Sequence, residues 1–322
     1  MILDLFAGPG GWDEGLRLLG RSDVVGVEMD RATCETREAA GHPTISCDVR
    51  TLDPADFYGY EGLIASPPCQ SFSAAGLQRG LGDLRGQLVY EVIRFAETMR
   101  PQWIACEEVK EVLPIWRAFA SKLRTLGYCT WSGLLNAADF GVPQSRTRAF
   151  LLASRRPFTP PAPTHSAEGG FSLFGALPKW RTMADALGLT AADLEPDQRW
   201  ALIRPATTVV RSFCPDVIAA PGYRLAGDGP RQNAPGSIKV TPEQMCVLQG
   251  VSPDYPFAGA KTKRLSLIGA FLPPQWAAAV LTAVISQADT CQECGGDNPA
   301  QHMTVCLDCM ESDAALLSTA HT

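Results

Sequence analysis

In the run Ser66-Pro67-Pro68-Cys69-Gln70-Ser71-Phe72-Ser73 a thiol follows two prolines, at the point where a short apolar stretch, Gly62-Leu63-Ile64-Ala65, stops. Proline disfavours helix and cannot donate to a sheet ladder, so Cys69 is expected at a rigid strand end rather than inside an element. A thiol near its reference pKa of roughly 8.5 is only a few per cent thiolate at neutral pH, yet it is intrinsically nucleophilic and suits attack on an electron-poor carbon. Read alone, Pro-Cys fits an inert buried cysteine in a turn better than a nucleophile, and it is the surroundings that reverse this.

A second group of residues has the chemistry of a nucleotide site. Asp4-Leu5-Phe6-Ala7-Gly8-Pro9-Gly10-Gly11 ends one apolar run and opens a helical one. Glycines there let the backbone approach a ligand, and helix N-terminal amides can receive a carboxylate or phosphate. A dinucleotide site and a methyl-donor site are both compatible with that turn. Glu28, at the end of the next strand, has the spacing suited to ribose hydroxyls. Asp48 is an acceptor for an adenine amino group, and Phe6 offers a ring for stacking.

A third group lies near the C-terminus. Cys291-Gln292-Glu293-Cys294 and Cys306-Leu307-Asp308-Cys309 are two Cys-x-x-Cys pairs with eleven residues between them. Four thiolates at that spacing can close a tetrahedral zinc shell, and a redox pair is the alternative. An all-sulfur shell makes the metal structural, with His302 a bystander.

These residues need elements to hold them. Ile2–Phe6, Val24–Glu28, Thr44–Val49, Leu63–Ser66 and Trp103–Glu107 read as strands, and Trp12–Leu19, Arg31–Ala40, Gln87–Met99 and Val112–Leu126 as helices. Two further strand candidates, Tyr128–Trp131 and Arg148–Leu152, follow. Strands alternating with helices predict an α/β fold, a Rossmann-like, doubly wound and mostly parallel sheet. Ligands of such sheets sit where strand order reverses, so strands one and four would set Phe6 and Cys69 beside one cleft. Pro157-Phe158-Thr159-Pro160-Pro161-Ala162-Pro163 reads as a linker into an irregular region. Regular structure returns near Thr241 and ends in a helix over Pro274–Gln287.

The chain has 322 residues, 46% hydrophobic and 19% charged, enough for a full core and about two units. Its formal charge of −6 is not a basic footprint. Basic residues nevertheless gather at Arg79 and Arg85, at Arg146, Arg148, Arg155 and Arg156, and at Lys261, Lys263 and Arg264, so a local positive face is compatible with the balance. No uninterrupted apolar run reaches the roughly 18 residues of a membrane span, and the N-terminus lacks a basic start and cleavage site. The expectation is a cytoplasmic protein with no membrane partner and with reduced cysteines outside the metal-spaced four.

Taken in order, the motifs resemble the DNA cytosine-5 methyltransferase family over nearly the whole chain to about residue 288. They are Asp4 to Gly11, Pro68-Cys69-Gln70, Glu107-Glu108-Val109, Gln144-Ser145-Arg146-Thr147-Arg148, Arg204-Pro205-Ala206-Thr207-Thr208-Val209, Leu248-Gln249-Gly250, and Gly269 with Pro273-Pro274. The resemblance implies a class I methyltransferase fold that binds S-adenosylmethionine through Phe6, Ala7, Gly8, Gly10, Gly11, Glu28, Met29, Asp48 and Pro68.

It implies that the Cys69 thiolate adds to C6 of cytosine, making C5 an enamine carbon that accepts the methyl group. Glu107 would contact N3 and the exocyclic amine, Arg148 would hold O2, Arg146 would brace the catalytic loop or the backbone, and Gln70 would help order the loop. A cytosine stacked in duplex DNA must first be flipped out. The 71–86 segment, with Gly76, Gly80, Gly82, Gly86, Arg79 and Arg85, has the composition of a loop that closes over DNA.

The implied organisation is a catalytic domain over 1–156, a small target recognition region over 157–240, a return to the catalytic domain over 241–288, and a zinc knuckle or ribbon over 289–322. Double-stranded DNA is the implied partner, with a separately encoded restriction nuclease as a cognate, and the chain would act as a monomer. Related enzymes that act on transfer RNA carry Cys-Phe-Thr in the recognition region, and that tripeptide does not occur in this sequence.

The sequence also departs from the family. Glu108 stands where Asn is usual, and Ala270-Phe271-Leu272 replaces Asn-Ala-Val. The extra acid either acts on Glu107 or points away from it. The lost amide leaves open a modified adenosyl donor carrying another group, and a non-catalytic, zinc-containing DNA-binding regulator is the remaining alternative.

Overall fold

Residues 1–68, 86–172, 175–210, 216–222 and 235–285 are described by a computed structural model. Cys69, Gln70, the 71–85 part of the glycine-rich loop and the four tail cysteines lie outside the described residues.

The first half alternates as its sequence predicts: β1 (Ile2–Leu5), α1 (Gly11–Leu18), β2 (Val24–Glu28), α2 (Arg31–Ala39), β3 (Thr44–Ser46), β4 (Gly62–Ala65), α3 (Glu91–Met99), β5 (Trp103–Val109), α4 (Leu113–Thr125) and β6 (Cys129–Asn136). The short β7 (Gln144–Ser145) precedes β8 (Thr147–Ser154). One seven-stranded sheet results, in the order β3-β2-β1-β4-β5-β8-β6. Strands β1 to β5 are parallel, and β8 runs antiparallel to both β5 and β6. The connection from β6 to β8 is too short for a crossover, so the chain reverses.

Both faces of the sheet are covered, which is why β1 and β4 are buried without alternation, and apolar except for Asp4. Leu3, Leu5, Leu63, Ile104 and Cys106 pack under Val92 and Phe95 of α3 and Trp116 and Leu123 of α4. On the other face Ile2, Ile64, Trp103, Ala105 and Phe150 meet Trp12 and Leu16 of α1 and a distant C-terminal helix.

The second half is less regular. It contains β9 (Gly170–Ser172), β10 (Gly175–Leu177), α5 (Met183–Leu187), β11 (Ala206–Thr207), β12 (Val217–Ile218) and β13 (Ile238–Lys239), then α6 (Pro242–Leu248), α7 (Lys261–Ala270) and α8 (Pro274–Ile285). α8 is the helix packed on α1, so closely that a Cβ on Gly15 would stand 2.6 Å from that of Ala277. The stretch Lys261–Ile285 has the hydropathy of a membrane span, 1.6, but is largely buried inside the protein and is broken between α7 and α8.

A third hydrophobic cluster joins Met183, Ala201, Ala206, Val209 and Ile218 to Met245, Leu248, Tyr255, Leu265 and Phe271. It therefore runs across the 240/241 boundary expected from the sequence. Strand β11 pairs with β7, Ala206 with Gln144 and Thr207 with Ser145, which attaches this cluster to the start of β8.

Candidate active site

The carboxyl ends of β1 and β4 lie side by side, with Leu5 paired to Ala65. Chain order turns outward in both directions from this pair, so it is the switch point of the sheet. Ser66 donates its N–H to Leu5 O at 3.2 Å, and Trp12 Nε1 donates to Ser66 Oγ at 2.9 Å. A rigid indole thus fixes the residue that precedes Pro67 and Pro68, the first buried and the second half-buried. Phe6 and the segment leading to Cys69 leave the sheet from adjacent strands.

Beyond β1 the backbone turns sharply. Phe6 has φ 57°, a conformation uncommon for a residue with a side chain, and Gly8 and Gly10 have φ 56° and 107°. The Glu28 carboxylate accepts N–H groups from Gly8 at 3.1 Å and from Met29 and Asp30 at 2.8 Å each, so β2 and the glycine turn are locked together through one acid. Met29 beside it is two-thirds exposed. Asp48 caps the turn after β3 and pairs with Arg50, whose hydrogen bonds hold its carboxyl below the usual range.

The glycines of the turn differ in role. A Cβ on Gly8 would have no neighbour nearer than Phe6 O at 4.0 Å, whereas one on Gly10 would stand 2.6 Å from Tyr255 Oη and one on Gly11 2.5 Å from Leu272 O. Gly10 and Gly11 are therefore glycine because protein packs against them. Of these three glycines, Gly8 alone has open space on its Cβ side among the described residues. That opening, the Glu28 carboxylate and the exposed Met29 form a site compatible with a nucleoside bearing a polar tail.

Asp4 lies beneath this turn, wholly buried, with no hydrogen bond to either carboxyl oxygen among the described residues. Burial, reinforced by Asp13, raises its proton affinity well above the ordinary range.

The fifth strand supplies the acid. Glu107 Oε1 lies 3.1 Å from Arg148 Nε, both side chains mostly buried. The pair is diagonal rather than directly opposed: Glu107 faces Phe150 across the ladder and Arg148 faces Val109. Arg148 Nη1 also donates to Thr147 O at 2.8 Å. Glu108 projects to the opposite face, opposite Ala149, and its carboxylate accepts the Val109 N–H. Arg146 donates from Nη1 to Gly269 O at 3.0 Å and from its backbone N–H to Asn136 Oδ1 at 3.0 Å.

Residues 1–172 match the family model described as C-5 cytosine-specific DNA methylase. The chain belongs to this family. Among curated relatives, the Type II methyltransferase M.FnuDI of Fusobacterium nucleatum is 37% identical over 162 residues, 48% of this chain and 47% of that protein. M.AquIA of Picosynechococcus is 34% identical over 215 residues, 58% of this chain and 87% of that protein. The chain spans about half the length of M.FnuDI and M.DdeI. Among solved structures, the Entamoeba histolytica methyltransferase EhMeth superimposes with TM-score 0.63 at 13% identity, covering 88% of this chain and 96% of that one. That likeness is one of fold.

In this cytosine-methylase chain the sheet collects Phe6, Glu28, Asp48, Pro68, Glu107 and Arg148 along one edge. It directs Arg146 into the interior beneath. Sequence reasoning missed a buried amide pair that binds the family motifs to one another. Gln144 accepts the Val209 N–H at 2.8 Å and donates to Leu248 O and to Gln249 Oε1 at 3.2 and 2.7 Å, while Gln249 donates to Ile268 O at 2.6 Å. Both glutamines belong to motifs of the sequence, but nothing in their local pattern says they touch across 105 residues.

Proposed function

We propose that this chain is a DNA (cytosine-5-)-methyltransferase that uses S-adenosylmethionine and acts on a flipped-out cytosine in duplex DNA. The observation that carries the reading is the Glu107–Arg148 pair at 3.1 Å on the sheet edge, two strands from the glycine turn and one from the strand that leads to Pro68-Cys69. An acid and a guanidinium held together on strands, not loops, suit recognition of the N3, amine and O2 edge of one pyrimidine.

Bound S-adenosylmethionine would supply an electrophilic methyl group. Phe6, Ala7, Gly8, Gly10, Gly11, Glu28, Met29, Asp48 and Pro68 are the proposed contacts to it. Cys69, next in sequence after Pro68, is the proposed nucleophile: its sulfur bonds to C6, and electron density passes to C5. Glu107 stabilises or supplies the proton at N3 as charge develops, and Arg148 holds O2. After methyl transfer the C5 proton leaves and the C6–S bond breaks, which restores the thiolate.

Arg146, tied to Gly269 O, braces the start of β8, and Gln70 orders the segment that follows. Residues 157–240 are the proposed target recognition region, within a catalytic domain of 1–156 and 241–288. The spacing of Cys291, Cys294, Cys306 and Cys309 supports a structural zinc in a knuckle over 289–322, tested by elemental analysis of the purified chain for one zinc per molecule. A separately encoded nuclease and a monomeric state remain part of the proposal.

Incubation with labelled donor and unmethylated duplex DNA, followed by base-resolution sequencing and mass analysis of nucleosides, tests the whole reading. Methyl at C5 is the expected product, with a denaturation-resistant adduct on 5-fluorocytosine DNA that Cys69→Ser abolishes. Methylation at cytosine N4 or adenine, or of RNA alone, overturns it.

A further inference from the structure

The glycine turn is held from behind by side chains on every carbonyl from Ala7 to Pro9. Arg37 Nη1 donates to Ala7 O and Gly8 O, each at 3.4 Å, and Tyr255 Oη donates to Pro9 O at 2.6 Å. Arg37 is itself fixed by a bidentate pair with Asp13, both distances 2.9 Å, and by Thr44 Oγ1 at 2.9 Å. The two anchors arrive from different places. Arg37 is on α2, whereas Tyr255 lies between α6 and α7, 246 residues from Pro9.

All peptide bonds described are trans, so an inward carbonyl turns the next residue's N–H outward. Arg37 thereby sets the Gly8 N–H that donates to Glu28, and Tyr255 sets the Gly10 N–H. Gly10 cannot move toward Tyr255, because its Cα hydrogen already fills the space beside the Tyr255 hydroxyl and the His42 ring. His42 Nε2 lies 3.1 Å from both Tyr255 Oη and Glu14 Oε1, which closes the chain of contacts from α1 to the turn.

We propose that Tyr255 is a positioning residue for the methyl donor: its hydroxyl holds the Pro9–Gly10 peptide so that the Gly10 N–H faces the donor's amino-acid carboxylate. This rests on the reading that the chain binds S-adenosylmethionine. An oriented amide at the start of α1 is suited to an anion, since the helix N-terminus adds its own partial positive charge. Burial, then the charges of Glu14 and Asp13, push the Tyr255 phenol far above its usual range, so it stays a donor at working pH. The hydroxyl belongs to the return segment, so donor affinity is coupled to how that segment packs.

The test is Tyr255→Phe in the full chain, titrated calorimetrically with S-adenosylhomocysteine and with adenosine, which lacks the amino-acid tail. Loss of one hydrogen bond predicts roughly three- to tenfold weaker S-adenosylhomocysteine binding, unchanged adenosine binding, and a donor KM raised by the same factor at constant kcat. Phe271→Leu, which removes a ring packed edge-on against Tyr255 but keeps the hydroxyl, should lower the melting temperature and leave both affinities alone. Wild-type affinity in Tyr255→Phe, or equal loss of both ligands, overturns the proposal. If the wild-type chain itself binds no S-adenosylhomocysteine, the donor reading fails and takes the proposal with it.

Discussion

Glu107 and Glu108 are consecutive in the chain and stand on opposite faces of β5, one beside Arg148 and the other capping its own strand end through the Val109 N–H. Strand alternation therefore separates two acids that the sequence sets side by side, and the unusual Glu108 does not share Glu107's surroundings.

The two positions should respond differently to the same change. Glu107→Gln keeps shape and removes the carboxylate, so turnover should fall by about 10²- to 10⁴-fold with little change in melting temperature. Glu108→Gln should leave turnover within a few-fold and lower unfolding free energy by about 1 kcal/mol. Single-turnover methylation and urea denaturation on both variants decide this, and equal activity loss in the two would contradict the separation.

Gly8 and Gly11 separate ligand space from packing. Gly11→Ala places a Cβ against the Leu272 backbone and should cost about 3 kcal/mol or more, read as a lower denaturation midpoint. Gly8→Ala meets open space, so only the left-handed backbone opposes it, at about 1–2 kcal/mol, and its larger effect should be on binding of S-adenosylhomocysteine. Calorimetry on Gly8→Ala with unaltered affinity would show that the open side is not where the donor lies.

Asp4 gives the fold a pH dependence of known sign. Its folded-state proton affinity is raised by burial first and by Asp13 second, so the native chain binds a proton that the unfolded chain releases near pH 4. The stability linked to Asp4 is complete below about pH 4 and declines as pH rises toward its folded value. Asp4→Asn keeps the shape without the titration. The variant's urea midpoint should exceed that of the wild type at pH 7, and the gap should narrow toward pH 4.5; a gap independent of pH would mean that Asp4 is ionised in the fold.

Gln144 and Gln249 carry the contacts among β7, β11, α6 and α7. Gln144→Leu strands the Val209 N–H and the Leu248 carbonyl inside the protein, with an expected loss of about 2–4 kcal/mol. In a double-mutant cycle with Gln249→Leu, the coupling should be about 1 kcal/mol or more, and strict additivity would show that the two amides do not act together.

Much of the first half is legible because most strands are short apolar runs and the helices amphipathic, and Glu28 and the Pro67-Pro68 pair fall at or just past strand ends, whereas β5 runs two residues beyond Glu107 to Val109 because it pairs with β8 along its whole length. The direction of β8 was less visible, although the short link after β6 requires reversal. The helix Gln87–Met99 begins only at Glu91, after a 3-10 turn over Gly86–Tyr90, and Thr44–Val49 narrows to three paired residues before Asp48 starts a cap. α7 has no clear signal in the sequence because Lys261-Thr262-Lys263-Arg264 opens it with charge rather than an apolar stripe. What no local pattern reveals is distance in sequence closed by folding: Tyr255 and Leu272 behind the glycine turn, Gly269 under Arg146, and the diagonal by which Arg148 meets Glu107.

The hydrophobic cluster that runs from Met183 to Phe271 has a practical meaning for engineering. A recognition cassette excised at residues 157 and 240 would carry half of that cluster and leave its complement, including Met245, Leu248 and Leu265, exposed on the recipient. Grafts of the proposed recognition region should keep this cluster intact only when they extend through Phe271, so that transplanted side chains arrive with the partners they pack against.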